Sequence, residues 1–161
     1  FWSDNPDQNL FANTSPFYEV FKCADEQYIT LGAIEPQFYA EMLKRLELAD
    51  IPPSGQYDHN AWPSLKARVA EKIKTRSRAE WQLLLEGSDV CFAPVLSLAE
   101  ASEHPHNVAR SMFVDVAGQR QPAPAPRLSR TPPRSPTPGA LCGEHTVDIL
   151  AEIAKKTNKK V

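Results

Sequence analysis

Few side chains in this sequence have the type and setting that catalysis requires, and Glu35 is the foremost of them. It lies in L-G-A-I-E-P-Q-F-Y-A, residues 31–40, between an apolar run and Pro36. Proline suits the first position of a helix, so the residue before it is expected at or next to the N-cap. There the first amides and the positive end of the helix dipole stabilise a carboxylate. Residue types alone favour this structural role for Glu35, and facing a chemical site is the alternative.

The other chemically capable residues carry weaker signals. His104 and His106 stand two residues apart with a single neighbouring carboxylate, and this spacing predicts no metal site. Asp25 is expected in a turn, and Ser88 with Asp89 is typical of a turn that ends a helix. The sequence contains no G-x-S-x-G, no P-loop and no G-x-G-x-x-G motif. The chain therefore resembles a domain that contributes to a site more than one that contains a whole site.

Composition argues against several classes of function. The 161 residues include 18 basic and 20 acidic side chains, for a net charge of −2, which argues against nucleic-acid binding. No apolar run approaches the roughly 18 residues that predict a membrane span. Cys23, Cys91 and Cys142 are odd in number and far apart. They predict reduced thiols and a cytoplasmic location, not a disulfide framework.

The elements that must position Glu35 are predicted from aromatic and β-branched runs and from helical periodicity. Residues 17–23 and 27–34 flank the tripeptide A-D-E and predict a β-hairpin. A helix is predicted over residues 36–48, where apolar side chains recur at spacings of three and four. Further elements are predicted along the chain: helices from Pro63 and from Ser77, a strand over residues 90–95, helical turns from Ser97 and from Pro105, and a strand over residues 112–116.

Prolines mark the organisation of the second half of the chain. Seven of the 15 prolines fall between Pro122 and Pro138, and they predict an extended strap. An amphipathic helix follows that has no place in a small core. The predicted fold class is α+β: a small antiparallel sheet with packed helices, then an extended proline-rich strap and a C-terminal helix. The predicted parts are a linker over residues 1–16, a small α+β domain over 17–116, the strap over 117–142, and the C-terminal helix and tail over 143–161.

Six motifs in series resemble the C-terminal half of the α-methylacyl-CoA racemases, within the family III CoA-transferases. In order they are S-P-F-Y-E-V-F-K-C-A-D, G-A-I-E-P-Q-F-Y, S-D-V-C-F-A-P-V-L, H-P-H-N-V-A-R, P-A-P-R-L-S-R-T and G-E-H-T. The resemblance covers most of the chain. It implies that a Rossmann-like N-terminal domain binds CoA, that the strap and the final helix pack back on that domain, and that two subunits interlock as a homodimer.

The resemblance also implies a chemistry and a set of site residues. Acyl-CoA is the expected substrate, no separate cofactor is expected, and a histidine and an aspartate that precede residue 1 are the principal acid and base. Glu35 matches the glutamate of the family motif and is expected to support the histidine of the partner subunit. The family's glycine loop is replaced by F-A-N-T-S-P, residues 11–16. Asn13 and Thr14 are therefore the expected substrate-binding positions, and their restricted φ is expected to alter substrate fit.

Three functions remain open from the sequence. The leading one is the C-terminal portion of a racemase that moves a proton at C2 of 2-methylacyl-CoA thioesters and is inactive without its N-terminal half. The first rival is a family III CoA-transferase, which moves CoA between carboxylic acids through an acyl anhydride on an N-terminal aspartate. The second rival is a free-standing interaction domain without catalysis, against which the missing initiator methionine argues.

Overall fold

The computed structural model describes residues 3–158 of the chain. It divides into two compact units between Leu96 and Ser97. Small antiparallel sheets and six helices confirm the predicted α+β class. None of the helices in the described range combines the length and the apolar character that crossing a bilayer requires.

The first unit is built on a three-stranded antiparallel sheet. Strands β1 (Tyr18–Lys22) and β2 (Tyr28–Gly32) form the predicted hairpin. Asp25 lies in its turn as predicted, where Oδ1 accepts a hydrogen bond from the backbone N–H of Gln27 at 3.3 Å. Strand β3 (Ala93–Pro94) pairs with the other side of β2, so β1 is an edge strand and β2 is central.

The strand predicted over residues 90–95 is shorter than expected. Strand β3 covers only Ala93–Pro94, although the backbone N–H of Val95 also donates to the Tyr28 carbonyl at 2.9 Å. It starts later than predicted because Cys91 has a φ of 51°. That value lies in the left-handed region and interrupts an extended backbone. The turn also brings Cys91 close to Gly32: a Cβ at position 32 would lie 3.5 Å from the Cβ of Cys91.

Three helices complete the first unit. Helix α1 (Pro36–Arg45) begins at the predicted proline and ends before residue 48, because Glu47 adopts a φ of 55° just past its end. Helices α2 (Trp62–Ile73) and α3 (Arg78–Leu85) match the helices predicted from Pro63 and Ser77. The predicted capping box starts α3, since the side chain of the residue before it and that of Glu80 each accept the other's backbone N–H.

The sheet and these helices share one apolar core. Two tryptophans are almost fully buried in it, and each indole N–H donates to a backbone carbonyl. Trp62 Nε1 donates to the oxygen of Gln56 at 2.8 Å, and Trp81 Nε1 donates to that of Ile73 at 2.7 Å. Both rings therefore contribute apolar contact without leaving a polar atom unsatisfied. Further core side chains are Phe21, Ile29, Leu31, Tyr39, Met42, Leu43, Val69 and Leu85.

The buried thiol of Cys23 should cause the stability of the first unit to fall at alkaline pH. Its side chain is 2% exposed, and burial, with a smaller effect of Asp25, raises the pKa of the thiol from 9.0 to about 11. Between these two pKa values the unfolded chain releases the proton while the folded chain keeps it. The free energy of unfolding should therefore fall as pH rises through this window, by up to about 3 kcal/mol.

Urea unfolding on either side of that pH window measures this effect. The Cys23→Ala variant is the control, because it removes the thiol and nothing that titrates nearby. Its free energy of unfolding should fall less with pH than that of the wild type. An equal fall in the two proteins would contradict the assignment.

The second unit begins with two short helices and a hairpin. Helix α4 (Leu98–Glu103) follows the predicted capping box at Ser97, and α5 (Pro105–Ala109) begins at the predicted proline. Strand β4 (Phe113–Val116) matches the strand predicted over residues 112–116 and pairs with β5 (Gln119–Pro122).

Strand β5 was not predicted, because its residues Q-R-Q-P are polar and lead into the proline tract. The available signal was the dipeptide between the strands. Ala117 and Gly118 have φ values of 53° and 79°, the left-handed pair that forms a two-residue hairpin turn. Asp115 Oδ1 accepts the N–H of Gly118 at 2.9 Å and stabilises this turn.

The chain after β5 has the irregular, exposed character expected of a proline-rich strap. Residues 123–145 contain no helix or strand and are mostly exposed, within the described range. The Arg127 guanidinium donates to the backbone carbonyls of Arg110 and Ser111. The side chain of Arg127 therefore ties the start of the tract to the segment that precedes β4. Helix α6 (Thr146–Asn158) follows the tract.

The apolar side of α6 should cause this chain to self-associate. Val147, Leu150 and Ile153 recur at helical spacing and are 78%, 61% and 55% exposed, and an exposed apolar stripe promotes association. Sedimentation velocity should show oligomers for the wild-type chain and a shift toward monomer for Leu150→Lys. Glu152→Gln changes the net charge equally on the same helix and should leave the oligomers intact. A wild-type chain that sediments only as a monomer would contradict this expectation.

Candidate functional site

The structure places Glu35 at the N-cap of α1, as Pro36 predicts. Its backbone has a φ of −70° and a ψ of 140°, and its side chain is exposed. Among the described residues, however, the Glu35 carboxylate makes no capping hydrogen bond to α1. The expected position is confirmed, whereas the expected cap hydrogen bond is not formed. The carboxylate is therefore open to a group outside the helix.

Two side chains hold the backbone that leads into Glu35. Gln56 is 2% exposed, and its Nε2 donates to the carbonyls of Ala33 and Ile34 at 3.2 and 2.8 Å. The hydroxyl of Tyr57 donates to the same Ile34 oxygen at 2.8 Å. These three hydrogen bonds fix the strand-to-helix junction from which the Glu35 side chain projects.

Gln56 and Tyr57 were not predicted as site residues. They follow I-P-P-S-G, residues 51–55, which predicts only a break in the chain. Their partners lie more than 20 residues earlier, and such long-range pairs leave no periodic signal. One sequence signal for Gln56 was its position six residues before Trp62, which belongs to the core.

A groove of about 390 Å³ opens beside β1 and β2, a size typical of small-molecule sites. The side chains exposed by these strands supply much of its lining, because successive strand residues face opposite sides of a sheet. The lining is mostly apolar or aromatic, and its polar residues are Asn13, Glu19 and Thr30. The principal lining residues are Asn13, Tyr18, Val20, Thr30, Gly32 and Cys91.

Asn13 and Thr14, the two predicted substrate-binding positions, differ in placement. Asn13 lines the groove and has a φ of 59°, a left-handed conformation that asparagine adopts more readily than other non-glycine residues. The backbone shape that a glycine would permit is therefore kept at this position. Thr14 is not among the groove residues, and its hydroxyl donates within the loop to the carbonyl of Asn9 at 2.9 Å.

Cys91 connects Glu35 with the groove. Its exposed thiol lines the groove, and the packing of neighbouring atoms, followed by the negative charges of Glu35 and Asp89, raises its pKa. Gly32 also lines the groove, and Glu35 follows it by three residues in the chain. Glu35, Cys91 and Asn13 thus border one region of the first unit.

This arrangement provides a carboxylate beside an apolar groove. A carboxylate in such a place can orient an imidazole and stabilise its charged form. Proton transfer at two faces of a carbon needs an acid and a base on opposite sides. Glu35 can supply an orienting carboxylate in such chemistry, whereas the acid and the base need further groups.

The other chemically capable residues have structural placements. His59 stacks on Trp62 with ring centroids 4.0 Å apart, and His104 is the N-cap of α5. The Ser88 hydroxyl donates to the carbonyl of Leu85 at 2.5 Å, in the predicted helix-ending turn. Across residues 3–158, no group of three or more histidine, cysteine or acidic side chains is arranged to hold a metal ion.

Two racemases and a CoA-transferase align with nearly the whole chain. The alpha-methylacyl-CoA racemases of Mus musculus and Homo sapiens are 40% and 36% identical to it over 157 residues, covering 94% of this chain and 40% of each racemase. The succinyl-CoA:glutarate CoA-transferase of Homo sapiens is 26% identical over 155 residues, covering 89% of this chain and 35% of the transferase. The chain thus spans about 40% of the length of the racemases it matches.

Solved structures share its fold at low identity. A mutant of Rv3272 from Mycobacterium tuberculosis has a TM-score of 0.68 at 17% identity, covering 83% of this chain and 39% of that protein. A CAIB/BAIF family protein from Brucella suis has a TM-score of 0.64 at 19% identity, covering 87% of this chain and 38% of that protein. The family model of the CoA-transferase family III matches residues 3–146 of this chain. The chain therefore belongs to the CoA-transferase family III.

Proposed function

We propose that this chain is part of an α-methylacyl-CoA racemase-like isomerase, to which it contributes Glu35 as a supporting carboxylate. The observation that carries the proposal is the 40% identity to the mouse racemase across 94% of this chain. Identity to the human transferase is lower, at 26%. The exposed Glu35 on a backbone fixed by Gln56, next to a groove of ligand size, supports the same conclusion.

The proposed reaction is a proton transfer at C2 of a 2-methylacyl-CoA thioester. A base removes the proton next to the carbonyl, and an acid on the opposite face of C2 returns one. The negative charge of the enolate between these steps needs hydrogen-bond donors close to the thioester oxygen. In this proposal the principal histidine and aspartate lie outside the 161 residues, so the isolated chain does not catalyse the reaction.

The proposed role of Glu35 is to act through that histidine. A carboxylate that accepts one N–H of an imidazole selects its tautomer and orients the ring. It also stabilises the imidazolium that forms when the base takes the proton from C2. Glu35 is therefore a positioning residue and not itself the proton acceptor.

The proposal includes an assembly and a location. Two copies of the complete protein form a homodimer, in which Glu35 approaches a site that belongs mainly to the other subunit. CoA takes part only as a portion of the acyl-CoA substrate, without a separate cofactor. A cytoplasmic location completes the proposal, and the three free thiols fit a reducing compartment.

A CoA-transferase is the second candidate function. The family match over residues 3–146 and the 26% identity to the succinyl-CoA:glutarate CoA-transferase favour it. In that reaction an aspartate outside this chain would take the acyl group as an anhydride and pass CoA to a second carboxylic acid. Glu35 would then have no proton at C2 to help transfer.

Two parallel assays on the complete product of the gene separate these functions. The first follows deuterium uptake at C2 of a 2-methylacyl-CoA in D2O. The second follows CoA transfer from an acyl-CoA to a free carboxylic acid. We expect deuterium uptake without CoA transfer. CoA transfer without deuterium uptake would replace the proposal with the transferase, and the absence of both activities would leave a non-catalytic interaction domain.

A further inference from the structure

Lys66 links helix α2 to two parts of the first unit that line the groove. Its ammonium group donates to the backbone carbonyl of Asn13 in the loop before β1 and to the carboxylate of Glu19 on β1. The partners are 53 and 47 residues away in sequence, so the helix holds the loop and the strand together. Asn13 and Glu19 both line the groove.

This ion pair is more sheltered than the others in the described chain for which exposure of both partners is known. The Glu19 side chain is 9% exposed and that of Lys66 is 32% exposed. Glu19 Oε1 also accepts the backbone N–H of Val20 at 2.8 Å. A buried carboxylate needs its positive partner, so Glu19 in turn keeps the Lys66 ammonium in place beside the loop.

The Asn13 peptide needs such a contact to stay in its observed conformation. With a φ of 59°, a residue other than glycine is in a sparsely populated backbone region that surrounding contacts must maintain. The hydrogen bond from Lys66 to the Asn13 carbonyl is one such contact, and the loop bonds from Thr14 and Ser15 to the carbonyls of Asn9 and Leu10 are others.

We propose that Lys66, held by Glu19, is a positioning residue that fixes the Asn13 peptide as one wall of the groove. It thereby sets the size of the acyl group that the groove accepts. The choice of an acyl chain as occupant rests on the proposed function. It is supported by the mostly apolar lining, in which Tyr18 and Val20 are exposed, and by the position of Glu35 three residues after the groove residue Gly32.

The same helix provides a matched control. Lys72 also lies on α2 and pairs with Glu47 in another loop, but neither residue lines the groove. Lys66→Met and Lys72→Met therefore remove the same charge from the same helix. Lys66→Arg keeps a cationic donor at position 66 and should restore the wild-type behaviour.

The groove contains its own reporter, since Cys91 lines it together with Asn13. We would label the complete gene product with a small and a bulky thiol reagent and measure the rates at each cysteine by mass spectrometry. Cys142 is exposed and serves as an internal reference, and Cys23 is buried and reports unfolding. Lys66→Met should raise the ratio of bulky to small labelling at Cys91 several-fold, because an unanchored wall admits larger groups. Lys72→Met and Lys66→Arg should leave the ratio unchanged.

Every outcome of the labelling either supports or contradicts the positioning role of Lys66. An unchanged Cys91 ratio in Lys66→Met, or an equal rise in Lys72→Met, overturns it. A wild type whose Cys91 reacts with neither reagent also overturns it, because a groove closed to a small reagent admits no acyl chain. If labelling of Cys23 shows that Lys66→Met is unfolded, Glu19→Gln replaces it, since this variant keeps a neutral acceptor and should raise the ratio in the same direction.

Kinetics of the complete gene product test the consequence for substrate choice. Lys66→Met should lower KM several-fold for acyl-CoA esters with a substituent at C2 larger than methyl, with little change in kcat. The control Lys72→Met should not. Unchanged relative KM values would overturn the role in specificity. A wild type that turns over no acyl-CoA would instead refute the proposed function, and the labelling would still decide whether Lys66 positions the wall.

Discussion

Replacing Glu35 with glutamine in the complete gene product should slow proton exchange at C2 about 10- to 100-fold, the usual effect of removing a group that orients a neighbouring functional side chain. Glutamine keeps the size and an acceptor oxygen but loses the charge that stabilises an imidazolium. The pKa of the base should therefore fall, and the acidic limb of kcat/KM should move to lower pH. Rates across a pH series measure both effects.

The matched control is Glu41→Gln, which removes a carboxylate from the same helix. The Glu41 carboxylate forms an ion pair with Arg45, with 2.7 Å between Glu41 Oε1 and Arg45 Nε. An exposed pair of this kind contributes little to stability, so Glu41→Gln should leave the rate and the pH profile unchanged. A Glu35→Gln protein with the wild-type rate and pH profile would refute the supporting role.

Replacing Trp81 with alanine should lower the free energy of unfolding of the first unit by about 3–5 kcal/mol. The ring is 1% exposed, so its removal leaves a large cavity in the core. The variant also loses the hydrogen bond to the Ile73 carbonyl at 2.7 Å and the ring beneath the Arg76 guanidinium, 5.4 Å from its centroid. Urea unfolding followed by circular dichroism gives the free-energy difference.

Leu83→Ala is the control for that measurement. Leu83 lies on the same helix and is 87% exposed, so its truncation should change the free energy of unfolding by no more than about 0.5 kcal/mol. Similar losses in the two variants would show that α3 does not pack through the face that carries Trp81.

Elements coded by short-range chemistry could be predicted from the sequence. The helix starts at Pro36 and Pro105 and the capping boxes at Ser77 and Ser97 lie where predicted. Each depends on contacts within one helical turn, which a sequence window contains in full. The N-cap position of Glu35 belongs to this group, since Pro36 alone determines it.

Features that depend on backbone strain or on distant partners could not be predicted. The left-handed conformation of Cys91 shortens β3, and no residue type in V-C-F-A-P-V signals it. The groove needs a loop, two strands and Cys91 to meet, and Lys66 reaches Asn13 across 53 residues. Such contacts are consequences of tertiary packing, and only the folded chain displays them.

The candidate site was predictable only through the resemblance. Spacing alone favoured a structural role for Glu35, and the six motifs supplied the direction toward a shared site. The structure adds what the motifs did not contain: Gln56 holds the carbonyl of Ile34 at 2.8 Å, just before Glu35. It also shows that Asn13 and Thr14, the two positions where the resemblance implies glycine, differ in placement. Asn13 lines the groove and Thr14 does not.

In the proposed function, this chain completes a proton-transfer site whose principal acid and base lie outside it. Deuterium uptake at C2 of a 2-methylacyl-CoA in D2O measures this dependence, with the isolated 161-residue chain and the complete gene product assayed side by side. We predict uptake, with loss of configuration from either pure enantiomer, for the complete product and none above background for the isolated chain. Uptake by the isolated chain, or none by the complete product, would refute the proposed role of this chain.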